Sequence, residues 1–209
     1  MQKQLFNAAF RRKTLVIEEP RFAAETVIIQ GFRHSGNLFV ESNVVAEDQH
    51  RIPPIRHRPW IVKNAVKRSL PVVVLVRHPM EVAATTFYRT TKEVVPDHPV
   101  RLFPWAVLGA WIGYHRSIMR FRKFLLILPF ELIANDYLAG VRMIEDRTRI
   151  RMQADPDYAR ANRYGGDRWE VQLSWLSQYL LRKAEALYGM LVADGGQADM
   201  SRTSADRAG

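Results

Sequence analysis

Two glycines, Gly31 and Gly36, follow the β-branched run 25–30 and precede residues 37–45, whose pattern predicts a helix. A strand, a glycine turn and a helix in this order begin a βαβ unit. Glycines let the backbone turn tightly, so that successive N–H groups and the helix N-terminus face one anion. The segment therefore predicts a phosphate-binding loop. A strand-to-helix turn that binds no ligand remains the alternative.

The spacing of the two glycines is that of a Walker A loop, but the next residues are Asn37 and Leu38. A Walker A loop has a lysine there for the β- and γ-phosphates, followed by Ser or Thr for Mg²⁺. The loop therefore predicts an anion site without magnesium-dependent hydrolysis of nucleoside triphosphates, and it argues against a kinase.

A second anion site is predicted where the apolar run 71–76 ends in Arg77, His78 and Pro79. Such a run is typical of a strand buried on both faces of a parallel sheet, and the carboxyl ends of such strands face the ligand crevice. An arginine there can donate two hydrogen bonds to a phosphate, and Thr85 adds a hydroxyl group. The alternative is an ion pair of Arg77 with a carboxylate such as Glu81.

Strands that alternate with helices must position these residues. Strands are predicted over 14–17, 25–30, 71–76 and 124–128, and further helices over 60–70, 79–91, 104–123, 135–152 and 170–192. The alternation predicts an α/β three-layer sandwich with a mainly parallel central sheet, similar to P-loop NTPases. One domain is expected over 25–192, after a lead-in over 1–24 and before a disordered tail over 193–209.

Composition narrows the class of protein further. The chain has 209 residues, with 31 Lys and Arg against 21 Asp and Glu, a net charge of +10. The basic balance predicts an anionic partner. The absence of cysteine excludes disulfides, cysteine-ligated metals and thiol nucleophiles. No apolar run is long enough to span a membrane and no signal peptide is recognisable, so a cytoplasmic protein is expected.

Read in order, these segments resemble the sulfotransferases that use 3′-phosphoadenosine 5′-phosphosulfate (PAPS). That family has a P-K/R-S-G-T/N-T loop, a K-T-H-x-P segment and a strand running into R-x-P-x-x-x-x-x-S. The corresponding segments here read RHSGNL over 33–38, IRHRP over 55–59 and RHP over 77–79, with Thr85 in place of the serine. Residues 128–131 are similar to the family's R-Y-E-D segment, and residues 163–174 loosely resemble its closing region. The resemblance covers about residues 25–190, which is most of the expected domain over 25–192.

The resemblance implies PAPS as co-substrate, with no metal. It assigns PAPS binding to the loop and to the strand end, and the residues concerned are Arg33, His34, Ser35, Gly36, Asn37, Leu38, Arg77 and Thr85. The loop would hold the 5′-phosphosulfate, and Arg77 and Thr85 the 3′-phosphate. His57 would be the general base for the acceptor, because an imidazole that titrates near neutrality suits that role. His34 is the second catalytic candidate, since it replaces the family's basic loop residue.

Departures from the family pattern keep two other functions open. Leu38 replaces a threonine and Ile55 replaces the lysine near the catalytic histidine. A degenerate homologue that binds a nucleotide or another anion without turnover is the first alternative. A nucleic-acid-binding protein is the second, because of the net charge. For the sulfotransferase, the expected acceptor is a small molecule or glycan with a hydroxyl group or amine, and no specific nucleic acid is expected.

Two residue groups outside these motifs have open roles. Trp105, Trp111 and Tyr114 recur at helical spacing, which is typical of core packing but would also suit an acceptor pocket. The basic residues Arg116, Arg120, Arg122 and Lys123 are either a solvated face or a contact for a polyanionic acceptor.

Overall fold

A computed structural model describes residues 26–36, 40, 44–46, 52–53, 56–93, 104–154 and 173–193. The strands are β1 (Ile28–Gly31), β2 (Val44–Ala46), β3 (Val72–Val76), β4 (Leu125–Pro129) and β5 (Met152–Ala154). The helices are α1 (Pro59–Lys67), α2 (Pro79–Glu93), α3 (Pro104–Met119), α4 (Phe130–Asn135), α5 (Tyr137–Thr148) and α6 (Trp175–Ala193). The predicted lead-in, the strand over 14–17 and the tail from 194 onward lie outside the described residues.

The central sheet is parallel, with strand order β1-β3-β4. Val72 of β3 pairs with Ile28 of β1 on one side and with Leu125 of β4 on the other. All five residues of β3 are buried, as its unbroken apolar run predicts for the middle strand of a covered sheet. The carboxyl ends of β1 and β3 therefore lie side by side.

Helices cover both faces of this sheet, because alternate strand residues point to opposite sides. On one face, Ile28, Val74 and Ile127 belong to a buried cluster with residues of α1, α3 and α6. On the other face, Ile29 and Leu75 belong to a second cluster with residues of α5. The predicted α/β sandwich with a parallel sheet is confirmed. Within the described residues, no helix is long and apolar enough to cross a bilayer.

The ends of two predicted helices are wrong. The pattern predicts a helix over 37–45, but Val44–Ala46 is a strand that pairs antiparallel with Met152–Ala154. The predicted helix over 135–152 ends at Thr148, where Arg149 takes the left-handed conformation at φ 59°. β-Branched Val44 and Val45 favour a strand once a partner is present, and that partner is distant in sequence. This ladder of β2 and β5 lies beside the sheet face that α5 covers.

Candidate active site

The predicted phosphate loop follows the carboxyl end of β1. His34 and Gly36 both have positive φ, at 62° and 81°. The N–H of Ser35 donates to the carbonyl of Phe32 at 3.2 Å, and the N–H of Val40 donates to the carbonyl of Gly36 at 3.2 Å. The last bond has helical spacing and begins at Gly36. The chain therefore makes a tight turn within 31–36, and Val40 is helical, as the strand-turn-helix pattern predicts.

Phe130, the first residue of α4, explains why position 36 is a glycine. A Cβ atom on Gly36 would collide with the Phe130 ring. The left-handed φ of Gly36 also disfavours any residue with a side chain. The same ring lies under the guanidinium of Arg77, whose Cζ is 4.8 Å from the ring centroid. Phe130 thus packs against both predicted anion-binding segments.

Ser35 lies at the centre of the loop and is fully buried. Its hydroxyl oxygen finds no hydrogen-bond partner among the described residues. A buried hydroxyl group without a partner costs stability unless another polar atom reaches it. Ser35 is therefore the loop side chain whose chemistry best fits a ligand oxygen.

Arg77 connects the end of β3 to the loop. Its Nε donates to Glu81 Oε2 at 2.8 Å. Its Nη1 donates to the carbonyl oxygen of His34 at 3.2 Å and to Thr85 Oγ1 at 3.4 Å. The ion pair with Glu81, the alternative from the sequence, is therefore present. The predicted grouping of Arg77 with Thr85 and the loop is present as well, so the same arginine has both contacts.

His57 lies at the beginning of the loop. Its Nδ1 is 3.0 Å from the carbonyl oxygen of Gly31. A carbonyl only accepts, so Nδ1 carries the proton in this bond and a neutral ring has its lone pair on Nε2. The preceding residue, Arg56, donates its N–H to Gln30 Oε1 at 3.4 Å. Two hydrogen bonds, one from the His57 ring and one from the Arg56 backbone, thus hold the half-buried His57 at the carboxyl end of β1.

The remaining predicted positions divide into two groups. Arg33 is exposed at the tip of the loop, and His34 is half-buried beside it. Asn37, Leu38 and Ile55 lie outside the described residues. His34, Ser35, Gly36, His57, Arg77 and Thr85 therefore come together at one edge of the sheet. Their roles in binding and catalysis stay predictions.

A hydrogen-bonded group next to Arg77 centres on Glu131, the last residue of the segment 128–131, whose partners could not be predicted from the motif. Glu131 Oε1 accepts from the backbone N–H of His78 at 3.0 Å, and Glu131 Oε2 accepts from the hydroxyl of Tyr188 at 2.9 Å. Burial and then the carboxylates of Glu131 and Glu81 raise the pKa of Tyr188 above its ordinary value, so the phenol stays a donor. This group anchors α6 to the turn that carries Arg77. The acidic residue after β4 was the available sequence signal.

An aromatic cluster supports the loop from the core side. Phe32 makes an edge contact with Tyr114, with ring centroids 5.8 Å apart, and also packs against His115. The ring of His115 lies 3.9 Å from that of Trp111. Trp111 and Tyr114 are buried in the cluster under α3, so they occupy core positions, the first of the two roles considered from the sequence. Trp105 is half-buried.

His115 is fully buried, and its Nδ1 donates to the carbonyl of Trp111 at 2.8 Å. Burial lowers the pKa of His115 to about 4, against the weaker opposite effect of that hydrogen bond. The imidazole is therefore neutral near pH 7. Within the described residues, no three His, Asp or Glu side chains lie close enough to hold a metal ion together.

Comparison with known proteins gives a relationship at the level of the fold. No family model matches the chain, and no curated protein is similar to it in sequence. Among solved structures, the chain is similar to mouse sulfotransferase SULT7A1 complexed with PAP, the 3′,5′-bisphosphate product of PAPS. The TM-score is 0.50 at 11% identity, over 90% of this chain and 89% of the mouse chain. The chain thus has a sulfotransferase-like α/β fold.

Proposed function

We propose that this protein transfers a sulfuryl group from PAPS to a hydroxyl group or amine of an acceptor. The observation that carries the proposal is the convergence of His57 and Arg77 on one loop, at the edge where parallel strands end. The Ser35 hydroxyl, which has no hydrogen-bond partner among the described residues, fits a phosphate oxygen that approaches the loop. The fold likeness to a PAP-bound sulfotransferase supports the same reading.

In the proposed reaction, the acceptor oxygen or nitrogen attacks the sulfur atom of PAPS. The bond between sulfur and the 5′-phosphate oxygen breaks, and PAP leaves with the bonding electron pair. Nε2 of His57 takes the acceptor proton, while the Gly31 carbonyl keeps Nδ1 protonated and fixes the ring. The loop N–H groups and His34 stabilise the charge on the leaving phosphate. Arg77 and Thr85 bind the 3′-phosphate, which distinguishes PAPS from ADP.

The test is calorimetric titration with PAP and with ADP, for the wild type and for Thr85→Val and Arg77→Lys. Thr85→Val is the milder change, because it removes only the hydroxyl near Nη1. We expect PAP to bind tighter than ADP and each variant to lose that preference. Equal or absent binding of the two nucleotides would refute the proposal. PAP binding without transfer to any member of a broad acceptor panel would favour the binding-only alternative.

A further inference from the structure

The net charge of this protein is concentrated in two parts of the sequence. The windows 49–80 and 98–130 contain twelve of the 31 Lys and Arg residues and none of the 21 Asp and Glu residues. The rest of the chain has nineteen basic and 21 acidic residues, so it is close to neutral. The two windows contribute α1 and α3, which contact each other on one face of the sheet. Their outward sides therefore form one surface, which we call the cationic face.

The cationic face consists of nine basic residues from the described parts of these windows. They are Arg56, Arg58, Lys63, Lys67, Arg68, Arg116, Arg120, Arg122 and Lys123. Most are exposed, and among the described residues no carboxylate lies within ion-pair distance of Lys63, Lys67 or Arg116. Because like charges repel, such a surface costs stability, and a bound anion would relieve that cost.

The opposite layer has no such imbalance. Residues 131–154 contain four basic and four acidic residues, and they include α5. Between these two sets of described helices, the imbalance therefore belongs to the side of the sheet that carries α1 and α3. That makes it a property of a surface and not of the overall composition.

The position of the cationic face relative to the candidate site indicates what it binds. Arg56 and Arg58 flank His57, and α1 begins at the next residue, Pro59. Both α1 and α3 lead into strands of the parallel sheet, so both run from the edge with the candidate site to the opposite edge. A chain bound along these helices would reach from the far edge to His57. An extended polyanion fits this path, whereas a small acceptor would need only the residues at its end.

We propose that the cationic face binds an acidic polysaccharide and brings a hydroxyl group or amine of that chain to His57. This inference rests on the proposed sulfuryl transfer. A polysaccharide offers repeated anionic groups to the basic residues and repeated acceptor groups to the imidazole. Nucleic acid fits less well, because binding of single strands relies on open aromatic platforms for stacking. The aromatic residues at the end of the face, Phe121 and Phe124, already carry Arg120 and Lys123 over their rings.

The test measures binding without PAPS, on the full chain. The probes are heparin, desulfated heparin that keeps its carboxylates, uncharged dextran, oligo(dT) and duplex DNA. Two variants lower the positive charge of the face: Lys63→Glu/Lys67→Glu reverses two charges, and Gly113→Glu adds a carboxylate on the exposed side of α3. A Cβ on Gly113 meets no atom within 4 Å, and glutamate favours a helix more than glycine does, so Gly113→Glu should fold. The matched control is Arg142→Glu/Arg147→Glu on the exposed side of α5.

We expect both heparins to bind in a salt-dependent manner, and each face variant to weaken binding about tenfold at about 0.1 M salt. The α5 control should bind almost as tightly as the wild type. Absent binding, equal loss in the control or tighter binding of either nucleic acid would overturn the inference. PAP titration of the same samples separates the two proposals. Absent heparin binding by a wild type that binds PAP refutes the polysaccharide alone, whereas absent PAP binding by the wild type refutes sulfuryl transfer.

Discussion

His57 and Arg77 bind the same loop at two points, through the carbonyl oxygens of its first residue and of a residue near its centre. Nδ1 of His57 lies 3.0 Å from the oxygen of Gly31, and Nη1 of Arg77 lies 3.2 Å from the oxygen of His34. The proposed base and the proposed phosphate ligand are therefore positioned by one piece of backbone. A shift of the loop would move both, so substitutions in the loop should affect binding and turnover together.

Replacing His57 by asparagine should remove the proposed base while keeping the hydrogen bond that positions the side chain. Asparagine tolerates the left-handed backbone of this residue, at φ 53°, and its amide can donate to the Gly31 carbonyl, but it is not a base. We expect the rate of transfer to fall at least about a hundredfold with PAP affinity unchanged. Rates of PAP release with an accepted substrate, together with calorimetry, measure the two effects. Transfer at the wild-type rate would show that His57 is not the base.

Removing the charge of Glu81 should strengthen nucleotide binding. Glu81 is half-exposed and pairs with Arg77, so a 3′-phosphate competes with its carboxylate for the guanidinium. In Glu81→Gln we expect PAP affinity to rise by up to about tenfold, because solvent at the half-exposed Glu81 screens the pair to about 1 kcal/mol or less, although Arg77 itself is buried. ADP affinity should stay constant, since ADP has no 3′-phosphate. Equal changes for the two nucleotides would mean that Arg77 is not the 3′-phosphate ligand.

Gly36→Ala should destabilise the protein through a named contact. The new methyl group meets the Phe130 ring and the backbone is left-handed there, so a loss of about 2 kcal/mol or more is expected. Urea unfolding measures this loss, and a smaller side chain in Gly36→Ala/Phe130→Leu should recover part of it. Gly113→Ala is the matched control, because its helical site is open and alanine should add about 0.5–1 kcal/mol. No recovery in the double variant would contradict the contact.

His115 should make stability depend on pH. Its pKa is about 4 when folded against 6.5 when unfolded, so below pH 6.5 the unfolded chain binds the additional proton. The contribution is complete above pH 6.5 and is lost as pH falls toward 4, by roughly 3 kcal/mol in all. Urea unfolding at pH 7 and pH 4.5 should show a smaller difference in His115→Phe than in the wild type. Tyr114 beside it stays neutral throughout, since burial raises its pKa.

Tyr188→Phe tests the anchor between α6 and the Arg77 turn. The variant loses a hydrogen bond to a carboxylate, so the free energy of unfolding should fall by about 1–3 kcal/mol. PAP affinity should fall a few-fold, because Glu131 also holds the backbone of His78 beside Arg77. Tyr179→Phe on the exposed side of the same helix is the control, and it should change neither quantity. An equal effect of the two substitutions would contradict the anchoring role.

Local signals in the sequence are sufficient to predict the parallel sheet and to predict that Arg77 lies next to the loop. The run in β3 and the prolines that open α1, α2 and α3 depend on nearest-neighbour sterics and burial. The convergence of Arg77 and the loop follows from the rule that carboxyl ends of parallel strands share one edge. Both were therefore predictable without any knowledge of tertiary contacts.

Contacts between distant segments were not predictable in the same way. The strand at Val44 needs a partner at Ala154, and no local pattern identifies that partner. The position of Phe130 under Gly36 depends on how α4 leaves β4. The helical periodicity reading is wrong at residues 44–45, because β-branched Val44 and Val45 favour a strand once β5 pairs with them. These features depend on contacts between elements that are far apart in the sequence.

The uneven charge of the two layers has a kinetic consequence. Nine cations beside α1 and α3, opposite the charge-balanced segment that includes α5, should give the described part of the molecule an electric dipole moment across its sheet. In the field of a polyanion, the molecule would rotate before contact. Most encounters would then begin with the cationic face toward the polyanion. Salt should then slow capture far more than it speeds release, and a stopped-flow series over ionic strength would separate the two rates.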